Sequence, residues 1–344
     1  MPSRLSTTAV RAVSRAKPLW AVGVLAVVVA AATLPAFRTP VSINSLLVSM
    51  APILIISIGQ GIAVMSGGID LSVGAVAGLA TVILSLDAVL PGPTWLVLPA
   101  AVLAGVVVGL VNGTGVVAGI NPLLMTFALA GMVQGCSLLL QDLPDAAMPF
   151  DLITALGTKV GTVPLTIVAA LVLLFAAWYW IAQGRTGRVL QGAGYDPRTA
   201  VRLGLPVTRS TLVAYALSGG FAAAGGLAIA TRTYTADALI GSSSVIDSVA
   251  TVLVAGIVIT GGIGSLINLI PAAAVIAVIG QIITLTGTNA HYQTIFKGVL
   301  LVAAVSVYQL SGRRIRIPWQ LRRPELPTGE TPGTTLTPTG GSGR

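Results

Sequence analysis

Charge is scarce in this sequence of 344 residues, of which Asp, Glu, Lys and Arg together make up 8%. A water-facing surface needs about 25–35% charged residues to stay dispersed, so an ordinary soluble domain is excluded. Cysteine and histidine are almost missing, with Cys136 and His291 alone. An internal disulfide is therefore impossible, and a zinc enzyme or a Cys–His or Ser–His catalyst is improbable. Lysine occurs at Lys17, Lys159 and Lys297, preceded by Ala16, Thr158 and Phe296. None follows glycine, so the Gly-Lys-Ser/Thr cradle for nucleotide phosphates does not exist here. No metal set and no internal repeat of useful length is found.

Apolar residues fill the space that charge leaves. They make up 55% of the chain, and the mean hydropathy is +0.94. A helix needs about 20 mostly apolar residues to cross a bilayer, with every backbone polar group paired inside it. Ten segments qualify: about 19–37, 43–65, 73–90, 95–118, 121–141, 163–183, 211–231, 247–263, 266–287 and 292–310. The fold class expected is all-α, a polytopic membrane protein with about ten transmembrane helices. Gly-rich turns separate the second from the third segment and the eighth from the ninth, so nine or eleven spans stay open.

The basic residues orient the chain. Four precede the first span (Arg4, Arg11, Arg15, Lys17), and five lie in the loop 184–210 (Arg185, Arg188, Arg198, Arg202, Arg209). Six more follow the tenth span (Arg313, Arg314, Arg316, Arg322, Arg323, Arg344). The positive-inside bias puts both termini and that loop in the cytoplasm. Trp20, Trp95, Trp178, Trp180 and Trp319 fall at or near span ends, as membrane interfaces favour. The organisation expected is a basic cytoplasmic N-terminus over 1–18, a membrane domain over 19–310, and a basic, then disordered, cytoplasmic tail over 311–344. A cleaved leader over 1–37 is the lesser reading, because the apolar run is long enough to span. The segment 142–162 reads as an extracytoplasmic loop, in part helical.

Ionisable side chains at membrane depth are costly and are read first as functional. Asp70 sits in GGIDLSVG (Gly67–Gly74). It serves either as an N-terminal cap for the third span or in transport and gating, and the two roles are compatible. Asp247 poses the same choice at the eighth span. Asp87 and Lys297 are expected to reach headgroups or water by snorkelling. The uncharged polar residues Gln60, Asn112, Thr126, Gln134, Asn268 and Gln281 each suit a helix–helix hydrogen bond. Together with Ser72 they also describe a pathway wall that is polar and nearly uncharged, fitted to a neutral hydrophilic solute. Gly105, Gly109 and Gly113 form a small-xxx-small series for close helix packing.

Any use of ATP must come from another subunit, and the 184–210 loop is the obvious dock. Within it, Pro197–Gly204 (PRTAVRLG) has Asp196 as a cap, Pro197 at the first helical position and Gly204 to end the turn. The alternative is a solvated basic loop that serves topology only.

These stretches resemble the membrane permeases of bacterial ABC sugar importers, the ribose/xylose/galactose class related to branched-chain amino-acid permeases. The resemblance rests on GGIDLSVG, on GLVNG (Gly109–Gly113) followed by NPLLMTFAL (Asn121–Leu129), and on the loop Gly187–Val207 leading into YALSG (Tyr215–Gly219). ITGGIGSL (Ile259–Leu266) and FKGVLLVAAV (Phe296–Val305) complete the order over about 60–310. It implies a subunit of the bacterial cytoplasmic membrane without enzymatic activity and with no cofactor of its own, ATP and Mg residing on a separate ATPase. Its partners would be ABC ATPase subunits, an extracytoplasmic sugar-binding protein, a second permease copy or paralogue and membrane lipid, with no nucleic acid. Gly67, Gly68, Asp70, Leu71, Ser72 and Gly74 carry the first motif, and Asn112 and Gly113 the second. The docking site expected comprises Gly194, Asp196, Arg198, Ala200, Arg202, Leu203 and Gly204. The chain departs from the pattern at Tyr195–Asp196, where such permeases often show Asn, and at Val245, where an acidic residue is usual. The function expected is passage of a sugar or similar neutral polar solute by alternating access. An ATP-independent channel or secondary carrier is the alternative, and a membrane-embedded enzyme ranks third.

Overall fold

A computed structural model describes residues 20–86, 93–144, 148–289 and 291–310. The basic N-terminus, Asp87, Trp319 and the tail from 311 lie outside the described residues. Helix dominates: α1 (Trp20–Thr33), α2 (Pro40–Met65), α3 (Val73–Ser85), α4 (Val97–Val117) and α5 (Pro122–Leu140) come first. After the short α6 (Phe150–Leu156) and a small hairpin pairing Lys159–Val160 with Val163–Pro164 comes α7 (Leu165–Gln183). The chain continues through α8 (Arg185–Tyr195), α9 (Pro197–Arg202), α10 (Val207–Thr233), α11 (Ser242–Val254), α12 (Leu269–Leu285) and α13 (His291–Leu310).

One local device starts three of these helices. Thr39, Asn121 and Asp196 each accept an amide hydrogen from the first turn, and Pro40, Pro122 and Pro197 follow at the first helical position. The missing proline N–H costs nothing there, and the cap satisfies an amide that the helix cannot.

Among the described residues, six helices are long and apolar enough to cross a bilayer: α2, α4, α5, α7, α10 and α12 with its lead-in turn. The third and eighth expected spans are shorter than the sequence suggested. α3 and α11 have 13 residues each, about 20 Å at 1.5 Å per residue, against about 30 Å of hydrocarbon. Glycine is the reason. Gly67 before α3 and Gly256, Gly261, Gly262 and Gly264 after α11 all take positive φ, which replaces helix by turns. Such irregular backbone survives at membrane depth only against protein or a watery cavity. Here the two turns pack on one another: the Gly262 amide donates to the Met65 carbonyl at 2.9 Å. A Cβ on Gly194 of α8 would stand 2.0 Å from that same carbonyl oxygen and 2.8 Å from the Gly262 nitrogen. α8 is thus clasped to the end of α2 and to the turn that follows α11.

α10 is the centre of the bundle and packs chiefly on α4, α2 and α3. The small-xxx-small series sits at the α4–α10 crossing. A Cβ on Gly105 would stand 2.4 Å from the Gly219 carbonyl oxygen, and one on Gly109 would stand 2.1 Å from that of Tyr215. No side chain larger than hydrogen fits between these backbones.

Candidate functional site

Polar groups gather at two places inside the bundle and at one on its surface. The first is built around Asp70, fully buried in the loop between α2 and α3. One carboxylate oxygen accepts the Ser72 amide at 2.9 Å and the Ser72 hydroxyl at 2.6 Å. The other accepts the Ser218 hydroxyl of α10 at 2.7 Å. Asn112 of α4 donates to the Ser72 hydroxyl oxygen at 2.8 Å. Thr126 of α5 receives the Leu71 amide at 3.1 Å and donates to carbonyls of its neighbourhood. Asp70 does not cap α3, which starts at Val73 behind Ser72 with no side-chain cap bond; it holds the Ser72 amide ahead of the helix and ties the loop to α10 and, through Ser72, to α4. Ser72, Asn112, Thr126 and Ser218 are all fully buried. Gly68 lies against Tyr215, whose hydroxyl would be 2.1 Å from a Cβ there, and Gly74 lies against the Gly241 carbonyl. The cluster is a closed cross-brace.

The second place is a cavity of about 330 Å³ between α2, α10, α11, α12 and α13. Asp247 and Lys297 meet in its wall, with Nζ 2.7 and 2.8 Å from the two carboxylate oxygens. This corrects two expectations. Lys297 does not snorkel, being 6% exposed. Asp247 does not cap α11, because the helix starts at Ser242 and the aspartate lies in its second turn. A charge this deep requires a counter-charge, and α13 supplies it across 50 residues of sequence. Gln281 lines the same cavity and donates to the Ser42 hydroxyl at 3.0 Å. Arg232, Ser49 and Gln293 also line it.

The remaining pathway candidates stand apart from both. Gln60 is fully buried in α2, with neither side-chain oxygen nor nitrogen bonded among the described residues. Gln134 is half-buried on α5, a helix that is mostly exposed. Asn268 donates to the Ala255 carbonyl at 3.2 Å and holds the turn after α11. Among the described residues, no three His, Cys, Asp or Glu side chains gather into a metal site.

The surface feature is the α8–α9 corner. Asp196 accepts the Arg198 and Thr199 amides at 3.1 Å each and the Thr199 hydroxyl at 2.7 Å. The Thr199 hydroxyl, followed by these amides, holds the Asp196 carboxyl below its ordinary range. Gly204 ends the turn at φ 70°. Tyr195, Val201 and Leu203 are 69, 63 and 70% exposed, and Arg198 and Arg202 are exposed beside them. Of the seven docking candidates, Gly194 and Ala200 face inward.

The comparisons bear on the whole bundle. Residues 42–305 match the family described as the permease component of branched-chain amino-acid transport systems. The chain belongs to that permease family. A probable ABC transporter permease of Sinorhizobium fredii is 32% identical over 77% of this chain and 80% of its own length. The galactose/methyl galactoside import permease of Escherichia coli K12 is 28% identical over 81% of this chain and 90% of its own. The autoinducer 2 import system permease LsrD of Klebsiella pneumoniae is 28% identical over 88% and 95%. No solved structure matches the chain. This permease is therefore an integral membrane protein and a transport subunit.

Sequence reasoning missed the Asp247–Lys297 pair and the Ser218 end of the Asp70 brace. Lys297 carried a signal, as a lone lysine inside an apolar run. Ser218 carried none, since serine is common in such helices.

Proposed function

We propose that this permease is the membrane subunit of an ATP-binding-cassette importer for a sugar or similar neutral polar solute. A separate ATPase, with its own ATP and Mg, docks on α8–α9, and a binding protein delivers solute on the opposite side. Both termini lie in the cytoplasm, and a second permease copy or paralogue completes the pore. The observation that carries this reading is the α8–α9 corner. It is a capped, pre-ordered helical pair with exposed Tyr195, Val201 and Leu203, and it is joined to the bundle through glycine contacts. The relatives whose names state ABC transport or sugar import support it.

The geometry suggests how a push would travel. The turn that α8 clasps is the one that follows α11, and α11 carries Ser244 and Asp247 into the cavity at the other end. Moving α8 moves that turn, and α11 carries the displacement to the Asp247–Lys297 pair. The bundle then alternates between facing one side and the other, as in carriers that rock about a fixed site.

The test is co-purification with the ATPase. Leu203→Asp, which places a charge at the exposed apolar tip, is expected to lose the ATPase and keep normal membrane insertion. Retention of a coupled ATPase in that variant would refute the docking assignment.

A further inference from the structure

We propose that the Asp247–Lys297 cavity is a passage site for a neutral polyhydroxylated ring of monosaccharide size. The inference rests on the permease reading and deepens it. Its volume of about 330 Å³ lies at the small end of the roughly 300–1,000 Å³ range of ligand sites, with room for one pyranose or furanose and not for an oligosaccharide. The wall offers the groups that vicinal hydroxyls use. Ser45, Ser49, Gln281 and Gln293 can donate or accept, Asp247 accepts and Lys297 donates. Pro52, Ile53 and Ile276 form an apolar strip on which the C–H face of a ring can rest. Among the described residues, no Phe, Tyr or Trp lines the cavity, so the stacking that gives receptors tight affinity is missing and passage is favoured over retention.

A second observation gives the cavity a direction. Ser45, Ser49 and Ile53 share one face of α2, and that face continues at helical spacing to Gln60, with Ser57 at its edge. Ser57 and Gln60 are fully buried and have no hydrogen-bond partner among the described residues. Pro52 also leaves the Val48 carbonyl without its helical donor at the cavity's edge. Buried polar groups in native proteins are paired, so an unpaired row leading away from an open cavity fits a passage in its closed state.

Thiol protection tests this on the full chain in membrane vesicles. With Cys136→Ser removing the native thiol, Ser49→Cys is labelled by a small methanethiosulfonate reagent while D-galactose, D-ribose or maltotriose is added. Labelling is expected to slow by about twofold when the monosaccharide reaches its dissociation constant, following 1 + [L]/Kd. Maltotriose should leave the rate unchanged. No slowing by either monosaccharide, or equal slowing by the trisaccharide, would overturn the proposal. In the complex with its ATPase, Asp247→Leu/Lys297→Leu should keep thermal stability and lose most monosaccharide uptake. Undiminished uptake in that double variant would also overturn it. The labelling arm needs no ATPase, so failure of this site and failure of the importer reading are distinguishable.

Discussion

The two buried polar centres solve the same problem in opposite ways. Asp70 is held by hydroxyls and an amide from its own loop and α10, with α4 and α5 bracing that loop. Asp247 is held by one lysine and opens on a cavity. A carboxylate held by many weak donors from several elements cannot let go of one without disturbing the rest. One held by a single cation can exchange that partner for a solute hydroxyl. The difference separates a brace from a site.

That contrast can be broken experimentally. The largest effect is expected for Lys297→Ala, which leaves Asp247 buried and uncompensated at a cost of about 3–5 kcal/mol. Melting of the detergent-solubilised protein should fall sharply, and Asp247→Leu/Lys297→Leu should restore it, since a well-packed apolar pair replaces a buried ion pair at little cost. A double variant as unstable as the single one would contradict the simple pair.

Next comes Asp70→Ala, which strands the Ser72 and Ser218 hydroxyls at about 1–3 kcal/mol for each buried group left unpaired. Here no second substitution at Ser218 should recover stability, because the Ser72 amide and hydroxyl remain without their acceptor. Recovery by Asp70→Ala/Ser218→Ala would show the brace to be a pair after all. Gly194→Ala is expected to cost about 1–3 kcal/mol by overpacking the clasp and to lower transport per ATP hydrolysed. Normal coupling would place the transmission path elsewhere.

The smallest effect is local. Asp196→Ala should loosen the first turn of α9 and weaken ATPase binding without moving the melting of the bundle. Because the Asp196 carboxyl is held below its ordinary range, its support of α9 is complete above the ordinary carboxylate pKa. That support is lost as pH falls through the lowered value. ATPase binding measured against pH should weaken only on that acidic side, and an unchanged profile in Asp196→Asn would show that the ionised carboxylate is not needed.

Much of this was legible in the chain. Six of the ten expected spans followed from apolar length, the α4–α10 crossing from Gly105 and Gly109, and the α9 corner from Asp196, Pro197 and Gly204. These are local signals, carried by residues a few positions apart. The shortening of α3 and α11 was half legible, because the glycines were visible and their positive φ was not. The Asp247–Lys297 pair was illegible because its members lie 50 positions apart and no spacing rule links them. The inward turn of Ala200 likewise depends on how α9 rolls against its neighbours.

This permease is expected to carry no motor of its own and to receive energy through α8–α9. Uptake of a labelled monosaccharide into proteoliposomes, with and without the ATPase and ATP, tests it most directly. Accumulation is expected only when both are present, and is lost in Leu203→Asp. Equal accumulation by the permease alone would contradict it.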